Sequence, residues 1–273
     1  MQWLQEDVGL LDLTSYPIPS EREAIAEIVT RERCIVACSE EAAEIFLAAG
    51  ASEILTIKHS GDTAEPQDVV LRVRGDPYSL LSTWRVAQNI VSFFSGVATK
   101  ARKLVEAATR VSRRVVVSTT RKTLPGLRKL FIKAVLAGGA SIHRLGLFDS
   151  ILVFKNHVRL VGGWRNIIEL IESYRKLFPG KKICIEVDSV DEAVEAARMG
   201  VDAIQLDRLD PESVRRAIEI IRRIRPSIWI AVAGNIDEHN IAEYAALEPN
   251  EIVTSAPYHA KPIDMTTHIR PNV

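Results

Sequence analysis

From about residue 115 onward, short apolar segments alternate with helical segments, and this alternation restricts the possible folds more than any other feature of the chain. The strand-like segments lie at 115–118, 151–154, 183–187, 203–206, 228–232 and 252–254. Strands that are apolar along almost their whole length are typical of parallel sheets covered by helices. Six strand–helix units in about 150 residues predict an α/β fold, as a complete or partly open α/β barrel.

The first 99 residues follow a different pattern. Strand-like segments lie at 34–38, 53–59 and 69–74, and longer helical segments lie at about 40–49 and 78–99. This mixture predicts an α+β layer rather than further barrel units. We therefore expect an N-terminal α+β domain at 1–99 and a barrel domain at 100–262, with the tail at about 263–273 packing back on the first domain.

Charge and composition exclude several classes of protein. Thirty-five Lys and Arg side chains balance thirty-five Asp and Glu side chains, whereas a protein that binds duplex DNA by displacing counterions carries a basic excess. We expect no nucleic-acid partner and, since no apolar run reaches the roughly 18 residues of a bilayer span, no membrane and a cytoplasmic location. Cys34, Cys38 and Cys184 do not form a disulfide framework and are predicted to be buried thiols.

Polar or small residues follow most of the predicted barrel strands at their carboxyl ends, where α/β barrels carry their chemistry. They are Arg121 and Lys122 after the first strand, His143 and Arg144 before the second, Glu186 and Asp207 at the third and fourth, Gly234 and Asn235 after the fifth, and Ser255 and Ala256 after the sixth. Carboxylates suit a divalent metal or sugar hydroxyls, and the cations suit a phosphate or a carboxylate. The combination fits a phosphorylated sugar together with an anionic co-substrate.

Each of these residues also has a structural interpretation. A charged residue beyond a strand can be solvated loop polarity, and a histidine such as His143 is more often structural than catalytic. Glu186 is harder to explain in that way, because it lies inside an apolar strand where an unpaired carboxylate is costly to bury.

Several segments of the chain resemble the quinolinate phosphoribosyltransferase family, also called nicotinate-nucleotide pyrophosphorylase. The strongest are Thr-Arg-Lys-Thr-Leu-Pro-Gly-Leu-Arg at 120–128 and Gly-Gly-Ala-Ser-Ile-His-Arg-Leu-Gly-Leu at 138–147. Weaker matches follow in the expected order: Asp-Leu-Thr at 12–14, Trp-Arg at 84–85, Asn89 with Ser-Gly-Val-Ala-Thr at 95–99, Glu-Val-Asp-Ser at 186–189 and Leu-Asp at 206–207. Their joint occurrence, rather than any one of them, carries the resemblance.

The resemblance implies an N-terminal α+β sandwich domain joined to a partly open α/β barrel, and a homodimer or higher oligomer whose sites are shared between subunits. It implies a reaction in which 5-phosphoribosyl 1-diphosphate and quinolinate give nicotinate mononucleotide, diphosphate and carbon dioxide, with Mg²⁺ as cofactor.

The resemblance also implies roles for individual residues. Arg85 from the partner subunit would hold the anionic acceptor together with Arg121, His143 and Arg144, and Lys122 would face the phosphates of the donor. Glu186 and Asp207 would bind Mg²⁺ and the ribose hydroxyls. Backbone amides of Gly234, Asn235, Ser255 and Ala256 would bind the 5′-phosphate.

The chain departs from the family pattern at the acceptor site. Phe154 stands where quinolinate-converting members have a lysine, and the segments Ala-Gly-Asn at 233–235 and Ser-Ala-Pro-Tyr at 255–258 differ as well. Phe154 and the latter segment resemble the ModD branch, which is associated with molybdenum transport. Three hypotheses follow: a ModD-like phosphoribosyltransferase acting on an aromatic acid, a carboxylating nicotinate-nucleotide pyrophosphorylase of NAD synthesis, and a non-catalytic oxyanion-binding protein.

Overall fold

The computed structural model of the chain describes residues 2–19 and 22–272, which divide into two compact units. Unit 1 comprises the described residues of Met1–Arg102, Thr123–Gly139 and Pro257–Val273, and unit 2 comprises Lys103–Lys122 and Ala140–Ala256. The domain boundaries 1–99 and 100–262 stay a prediction. The compact units differ from them chiefly because residues 123–139 belong to unit 1.

Helices and strands alternate through most of the described chain. The strands are β1 Ala24–Thr30, β2 Cys34–Ile35, β3 Ala51–Ile57, β4 Thr63–Ala64, β5 Val69–Gly75, β6 Val116–Thr119, β7 Ser141–Ile142, β8 Ile151–Val153, β9 Ile183–Val187, β10 Ala203–Asp207, β11 Trp229–Ala233, β12 Glu251–Thr254 and β13 Met265–Pro271. The α-helices are α1 Gln2–Val8, α2 Ser39–Ala48, α3 Pro77–Val111, α4 Arg128–Ala137, α5 Lys155–Leu160, α6 Ile167–Leu177, α7 Val190–Arg198, α8 Pro211–Ile224 and α9 Ile241–Ala245. Single 3-10 turns lie at Trp164–Asn166 and Ala256–His259.

Unit 1 is built on a four-stranded antiparallel sheet in the order β13-β1-β5-β3, with a small sheet of β2 and β4 beside it. Strand β13 pairs with β1 along its whole length, from Ala24 opposite Pro271 to Thr30 opposite Met265. The strand predicted at 34–38 ends early, because Cys38 adopts a left-handed conformation (φ 61°) that no strand allows.

The Ser-Gly-Val-Ala-Thr motif of helix α3 has a structural role in unit 1. Ser95 Oγ and Thr99 Oγ1 accept hydrogen bonds from the backbone amides of Ala37 and Ile35 at 3.0 and 2.9 Å. A Cβ atom at Gly96 would lie 2.2 Å from the carbonyl oxygen of Lys261. Only glycine therefore allows the chain before β13 to cross the helix at this point.

Unit 2 is built on a curled, fully parallel sheet of seven strands in the order β7-β6-β12-β11-β10-β9-β8. The α/β fold class is therefore confirmed: a partly open α/β barrel accompanied by a separate antiparallel sheet. The sheet has one strand more than predicted, since the two-residue β7 carries no strand pattern of its own. Among the described helices, including the 35-residue α3, none combines the length and the apolar character that a bilayer span requires.

Alternate residues of the unit 2 strands face opposite sides of the sheet, as β geometry dictates. Ile183, Ile185 and Val187 of β9 join Ile204 and Leu206 of β10 in a large core that also contains residues of α6–α9. The intervening residues point to the concave side, where Leu152, Cys184 and Ala203 form a small apolar cluster. The three cysteines of the chain are buried and free.

Candidate active site in unit 2

Two carboxylates, Glu186 and Asp207, lie at the carboxyl ends of the neighbouring strands β9 and β10. Gln205 is paired with Glu186 between the two strands, and Asp207 lies two residues after Gln205 on the same face of β10. Both carboxylates therefore face the concave side of the sheet. Burial raises the pKa of both carboxyl groups above the ordinary value, and the charge of Asp207 raises that of Glu186 further. Because burying two carboxylates close together costs free energy, the pair favours a cation or several hydroxyl donors as its binding partner.

Gln205 positions Glu186, and the sequence analysis did not identify it. Its Nε2 donates a hydrogen bond of 2.5 Å to Glu186 Oε2, and the residue is only 5% exposed. Its Oε1 is buried and has no hydrogen-bond partner among the described residues. The sequence could have pointed to Gln205, because a polar residue inside the apolar strand at 203–206 is as unusual as Glu186 inside its own strand.

Lys122 lies near the acidic pair. Burial is the main cause that raises the pKa of Glu186 and of Asp207, whereas the positive charges of Lys122 and Arg208 lower both pKa values. Lys122 is exposed, and its backbone N–H donates to Thr120 Oγ1 at 3.3 Å. The structure thus brings the two predicted carboxylates and the predicted phosphate-facing lysine to one mouth of the curled sheet.

Arg144 is a buried cation beside the acidic pair. The residue is 6% exposed, and its guanidinium donates to the Ser150 carbonyl at 3.4 Å. Burial, and then the nearby charge of Arg121, lowers its pKa, whereas the charge of Glu186 acts in the opposite direction. Arg121 and Arg144 therefore form a second, positively charged part of the site, suited to an anionic group of a substrate.

Phe154 lies against these cations. Its ring centroid is 5.7 Å from the guanidinium carbon of Arg144, within the range of a cation–π contact. Phe154 also packs against the small apolar cluster of the concave side, and the His157 ring is stacked on it at 5.8 Å, with His157 Nδ1 accepting the backbone N–H of Phe154 at 2.9 Å. The predicted strand at 151–154 ends at Val153, because Phe154 serves as the N-cap residue of α5.

Lys155 does not replace the missing lysine. It is the first residue of α5, and its ammonium group forms an ion pair with the exposed Asp188. This side of the site, beside Arg144, therefore presents an aromatic ring where the family pattern has a cation.

His143 is held by Glu251, a residue that the sequence analysis missed. The imidazole Nδ1 lies 3.0 Å from Glu251 Oε1, and both side chains are largely buried. Glu251 is the first residue of β12, and its other oxygen accepts the indole N–H of Trp229 at 3.0 Å. His143 can therefore have both a structural and a functional role, because Glu251 binds only Nδ1 and this contact does not use Nε2.

The loops after β11 and β12 form tight turns. Gly234 has a φ of 94°, and a Cβ atom there would lie 2.5 Å from Arg208 Cγ and 2.7 Å from the Arg208 nitrogen. Asn235 also adopts a left-handed conformation, with φ of 54°. In the second loop, Thr254 Oγ1 accepts the Ala256 N–H at 2.9 Å and donates to the Ile236 carbonyl. Successive turns of this kind suit an anion bound by backbone N–H groups.

Arg85 belongs to unit 1 and is exposed on α3, where its guanidinium lies 3.9 Å from the Trp84 ring centroid. All the other predicted site residues, from Arg121 to Ala256, belong to unit 2.

The acidic pair fits Mg²⁺ with substrate oxygens as further ligands. The described residues contain no cluster of three or more His, Cys, Asp or Glu side chains that could hold a metal alone. Mg²⁺ commonly binds one or two carboxylates and completes its shell with water and phosphate oxygens. Glu186 and Asp207 supply such a pair: their pKa values stay raised although the exposed Arg208 lies 3.7 Å from Asp207 Oδ2.

Two family models match the chain and together span most of it. The model described as the quinolinate phosphoribosyl transferase N-terminal domain matches residues 12–95, and the model for the C-terminal domain matches residues 97–268.

The relatives of this chain carry two kinds of name. A protein of Archaeoglobus fulgidus named as a probable nicotinate-nucleotide pyrophosphorylase (carboxylating) is 38% identical over 211 residues, which are 77% of this chain and 80% of the relative. A Rhodobacter capsulatus protein named as a pyrophosphorylase, ModD, is 38% identical over 247 residues, 89% of this chain and 93% of the relative. The solved nicotinate-nucleotide pyrophosphorylase of Francisella tularensis has a TM-score of 0.90 at 28% identity and covers 98% of this chain and 94% of its own.

Proposed function

Because this chain belongs to the quinolinate phosphoribosyltransferase family, a family of pentosyltransferases, we propose that it transfers phosphoribosyl from 5-phosphoribosyl 1-diphosphate to an aromatic acid, in the manner of a ModD-like enzyme. The observation that carries the proposal is the acidic pair Glu186 and Asp207 at the same mouth as Lys122 and the buried Arg144. The acidic pair suits the sugar of the donor, and the cations Lys122 and Arg144 suit the phosphates of the donor and the anionic acceptor.

The proposed roles follow from the charges of the site. Glu186 and Asp207 bind the ribose hydroxyls and Mg²⁺, and their negative charge stabilises the positive charge that develops on the ribose as diphosphate departs. Bound Mg²⁺ would offset the charge of the leaving diphosphate. Lys122 acts on the same phosphates. The turns at Gly234, Asn235 and Ser255 bind the 5′-phosphate through backbone N–H groups, and the predicted contribution of Ala256 would require its N–H to leave Thr254 Oγ1.

The acceptor is positioned rather than activated by a nucleophile. Arg121 and Arg144 pair with its carboxylate, and His143 donates or accepts a further hydrogen bond. Phe154 packs against the acceptor ring and takes the place of a cation, so we propose an acceptor with less negative charge than a dicarboxylate. Loss of one charged hydrogen bond costs about 1.5–3 kcal/mol.

The test is donor-dependent release of diphosphate from purified protein, with Mg²⁺ and a series of aromatic mono- and dicarboxylic acids. The proposal expects release with at least one monocarboxylic acid and loss of that release in Lys122→Ala. Absence of release with every acid, despite binding of the donor, would refute it.

Carboxylating nicotinate-nucleotide pyrophosphorylase activity is the second candidate. It is favoured by the two arginines of the acceptor side and by a relative of that name at 38% identity. It predicts that quinolinate gives nicotinate mononucleotide and carbon dioxide with the unaltered protein, and that Phe154→Lys improves this reaction only modestly. Wild-type turnover of quinolinate above that of every monocarboxylic acid would favour this candidate over the first.

We also propose that the protein is a homodimer or higher oligomer in which Arg85 of one protomer completes the acceptor site of the other. The exposed position of Arg85 in unit 1, while every other predicted site residue belongs to unit 2, is consistent with this arrangement. Mixing Arg85→Ala protomers with Lys122→Ala protomers should restore activity in the heterodimer, and failure to do so would contradict shared sites.

A further inference from the structure

Glu251 occupies an unusual place for a carboxylate. It is the first residue of β12, is 8% exposed, and is paired in the ladders with Ala231 on one side and Val116 on the other. Burying a carboxylate here is costly, and a buried ion pair is often no more stabilising than an apolar pair of the same size. Stability alone therefore gives a weak reason for a glutamate at this position.

Both carboxylate oxygens of Glu251 accept hydrogen bonds. Oε1 faces His143 Nδ1 at 3.0 Å and Oε2 accepts the Trp229 Nε1–H at 3.0 Å. Burial alone would raise the pKa of Glu251, but the hydrogen bonds from His143, Ser118 and Trp229 outweigh it and the pKa lies below the ordinary value. The group is thus a carboxylate that only accepts hydrogen bonds.

The contact determines the proton on His143. A carboxylate offers no proton at Oε1, so His143 Nδ1 must carry one, whether the ring is neutral or charged. The backbone N–H of His143 also donates to the Thr119 carbonyl at 3.2 Å, which fixes the main chain at this residue. The neutral ring therefore has a single arrangement, with Nε2 as an acceptor on the side away from Glu251.

We propose that Glu251 is a positioning residue for the acceptor: it holds the Nδ1–H of His143, so that Nε2 is the nitrogen that faces the acceptor beside Arg144 and bonds its carboxylate through Nε2–H when the ring carries both protons. This inference rests on the proposed function, since it assigns His143 to the acceptor site. Trp229 and Ser118 complete the arrangement by holding the carboxylate in place. No bond is made or broken by Glu251 itself.

The first test is the steady-state kinetics of Glu251→Gln with 5-phosphoribosyl 1-diphosphate, Mg²⁺ and, as the acceptor probe, the acid of the mono- and dicarboxylic series that wild type turns over fastest. We expect kcat/KM for this acid to fall about tenfold to a hundredfold, the range found for outer partners of metal-binding histidines. The KM for the donor should stay within twofold. Glu248→Gln is the matched control, because Glu248 is an exposed glutamate of the preceding turn whose carboxylate faces Ser112 and Arg114; it should behave as wild type. An equal loss for donor and acceptor in Glu251→Gln would mean a general structural defect and overturn the proposal.

A second test separates the tautomer from catalysis. In protein labelled with ¹⁵N-histidine, two-bond ¹⁵N–¹H correlations should show the His143 proton fixed on Nδ1, with the signal assigned by its absence in His143→Asn. In Glu251→Gln the two tautomers should become mixed. If the His143 signals are unchanged, the proposal is wrong whatever the activity. If they change as expected but the wild-type enzyme turns over no acceptor at all, the proposed function fails while the coupling of Glu251 to His143 stands.

A double-mutant cycle makes the assignment specific. If Glu251 acts through His143, Glu251→Gln should lower kcat/KM for the same acceptor probe by less than twofold in the His143→Asn background. An additional tenfold loss in that background would show that Glu251 acts by another route.

Discussion

Replacing Phe154 by lysine tests the electrostatics of the acceptor site. The ring of Phe154 lies 5.7 Å from the guanidinium carbon of Arg144, which is buried and has the positive charge of Arg121 nearby. Removing the ring loses a desolvated cation–π contact, worth about 2 kcal/mol. An ammonium group at the ring position, 5.7 Å from Arg144, adds a repulsion of about 3 kcal/mol at an effective dielectric constant of about 20.

Phe154→Leu is the matched control, because it loses the cation–π contact without adding charge. The difference between the two variants isolates the repulsion, an upper value of about 3 kcal/mol, since the lysine side chain can turn away. At about 2–4 °C per kcal/mol, Phe154→Lys should unfold on the order of 6 °C below Phe154→Leu.

Quinolinate should reverse this order. With two carboxylates it supplies the missing counter-charge, so we expect it to bind Phe154→Lys about tenfold or more tightly than wild type, corresponding to about 1.5–3 kcal/mol for one charged hydrogen bond. The assay is thermal unfolding of the three proteins across a quinolinate titration. If Phe154→Lys unfolds at the same temperature as Phe154→Leu without ligand and gains nothing from quinolinate, residue 154 does not face the cations of the acceptor site and the reasoning is refuted.

Three further predictions concern the rest of the site. Gly234→Ala should lower stability by about 1–3 kcal/mol and weaken binding of ribose 5-phosphate, because a Cβ atom at φ 94° meets Arg208; an unchanged melting temperature would contradict the geometry. Gln205→Leu removes an unpaired buried oxygen, which stabilises, but it also removes the hydrogen-bond donor of Glu186, which destabilises, so the net change in stability should stay within about 1 kcal/mol. It should also weaken Mg²⁺-dependent donor binding, and calorimetry that finds unaltered donor affinity would exclude the positioning role. Burial raises the pKa of Glu186 and Asp207, so protons compete with Mg²⁺ at a higher pH than for ordinary carboxylates. The thermal stabilisation by donor with Mg²⁺ should therefore decline on acidification before the pH reaches the ordinary carboxylate range of about 4, and a stabilisation that holds down to that range would argue against these ligands.

The second half of the chain was predictable because its local patterns agree with the final structure. Apolar strands separated by amphipathic helices allow one kind of sheet, and the carboxyl ends of such strands meet at one edge. Glu186, Asp207 and Lys122 could be assigned to one mouth for that reason alone.

The fold of the first half of the chain was harder to predict, because its sheet depends on pairing between segments that are far apart in sequence. Strand β1 was not predicted, and its partner β13 lies at the other end of the chain, with Ala24 opposite Pro271. No local feature of either segment specifies that pairing. The two-residue β7 is recognised only by its hydrogen bonds to β6.

The partner of His143 was missed for a similar reason. Glu251 lies 108 residues away in sequence, and only the order of the strands brings β12 close to the segment after β7. Even so, a glutamate at the head of the apolar strand 251–254 is the same kind of signal that identified Glu186. Applied to every strand, that signal would have indicated Gln205 and Glu251 as well.

Calorimetry tests the central claim most directly. In this experiment, 5-phosphoribosyl 1-diphosphate with Mg²⁺ is titrated into wild type, Glu186→Gln, Asp207→Asn and Asp188→Asn. Asp188 is the control, because it is an exposed carboxylate directly after β9 and forms an ion pair with Lys155. We predict Mg²⁺-dependent binding to wild type and Asp188→Asn, and at least tenfold weaker binding to the other two variants. Equal affinity in all four proteins would contradict a donor site built on the acidic pair.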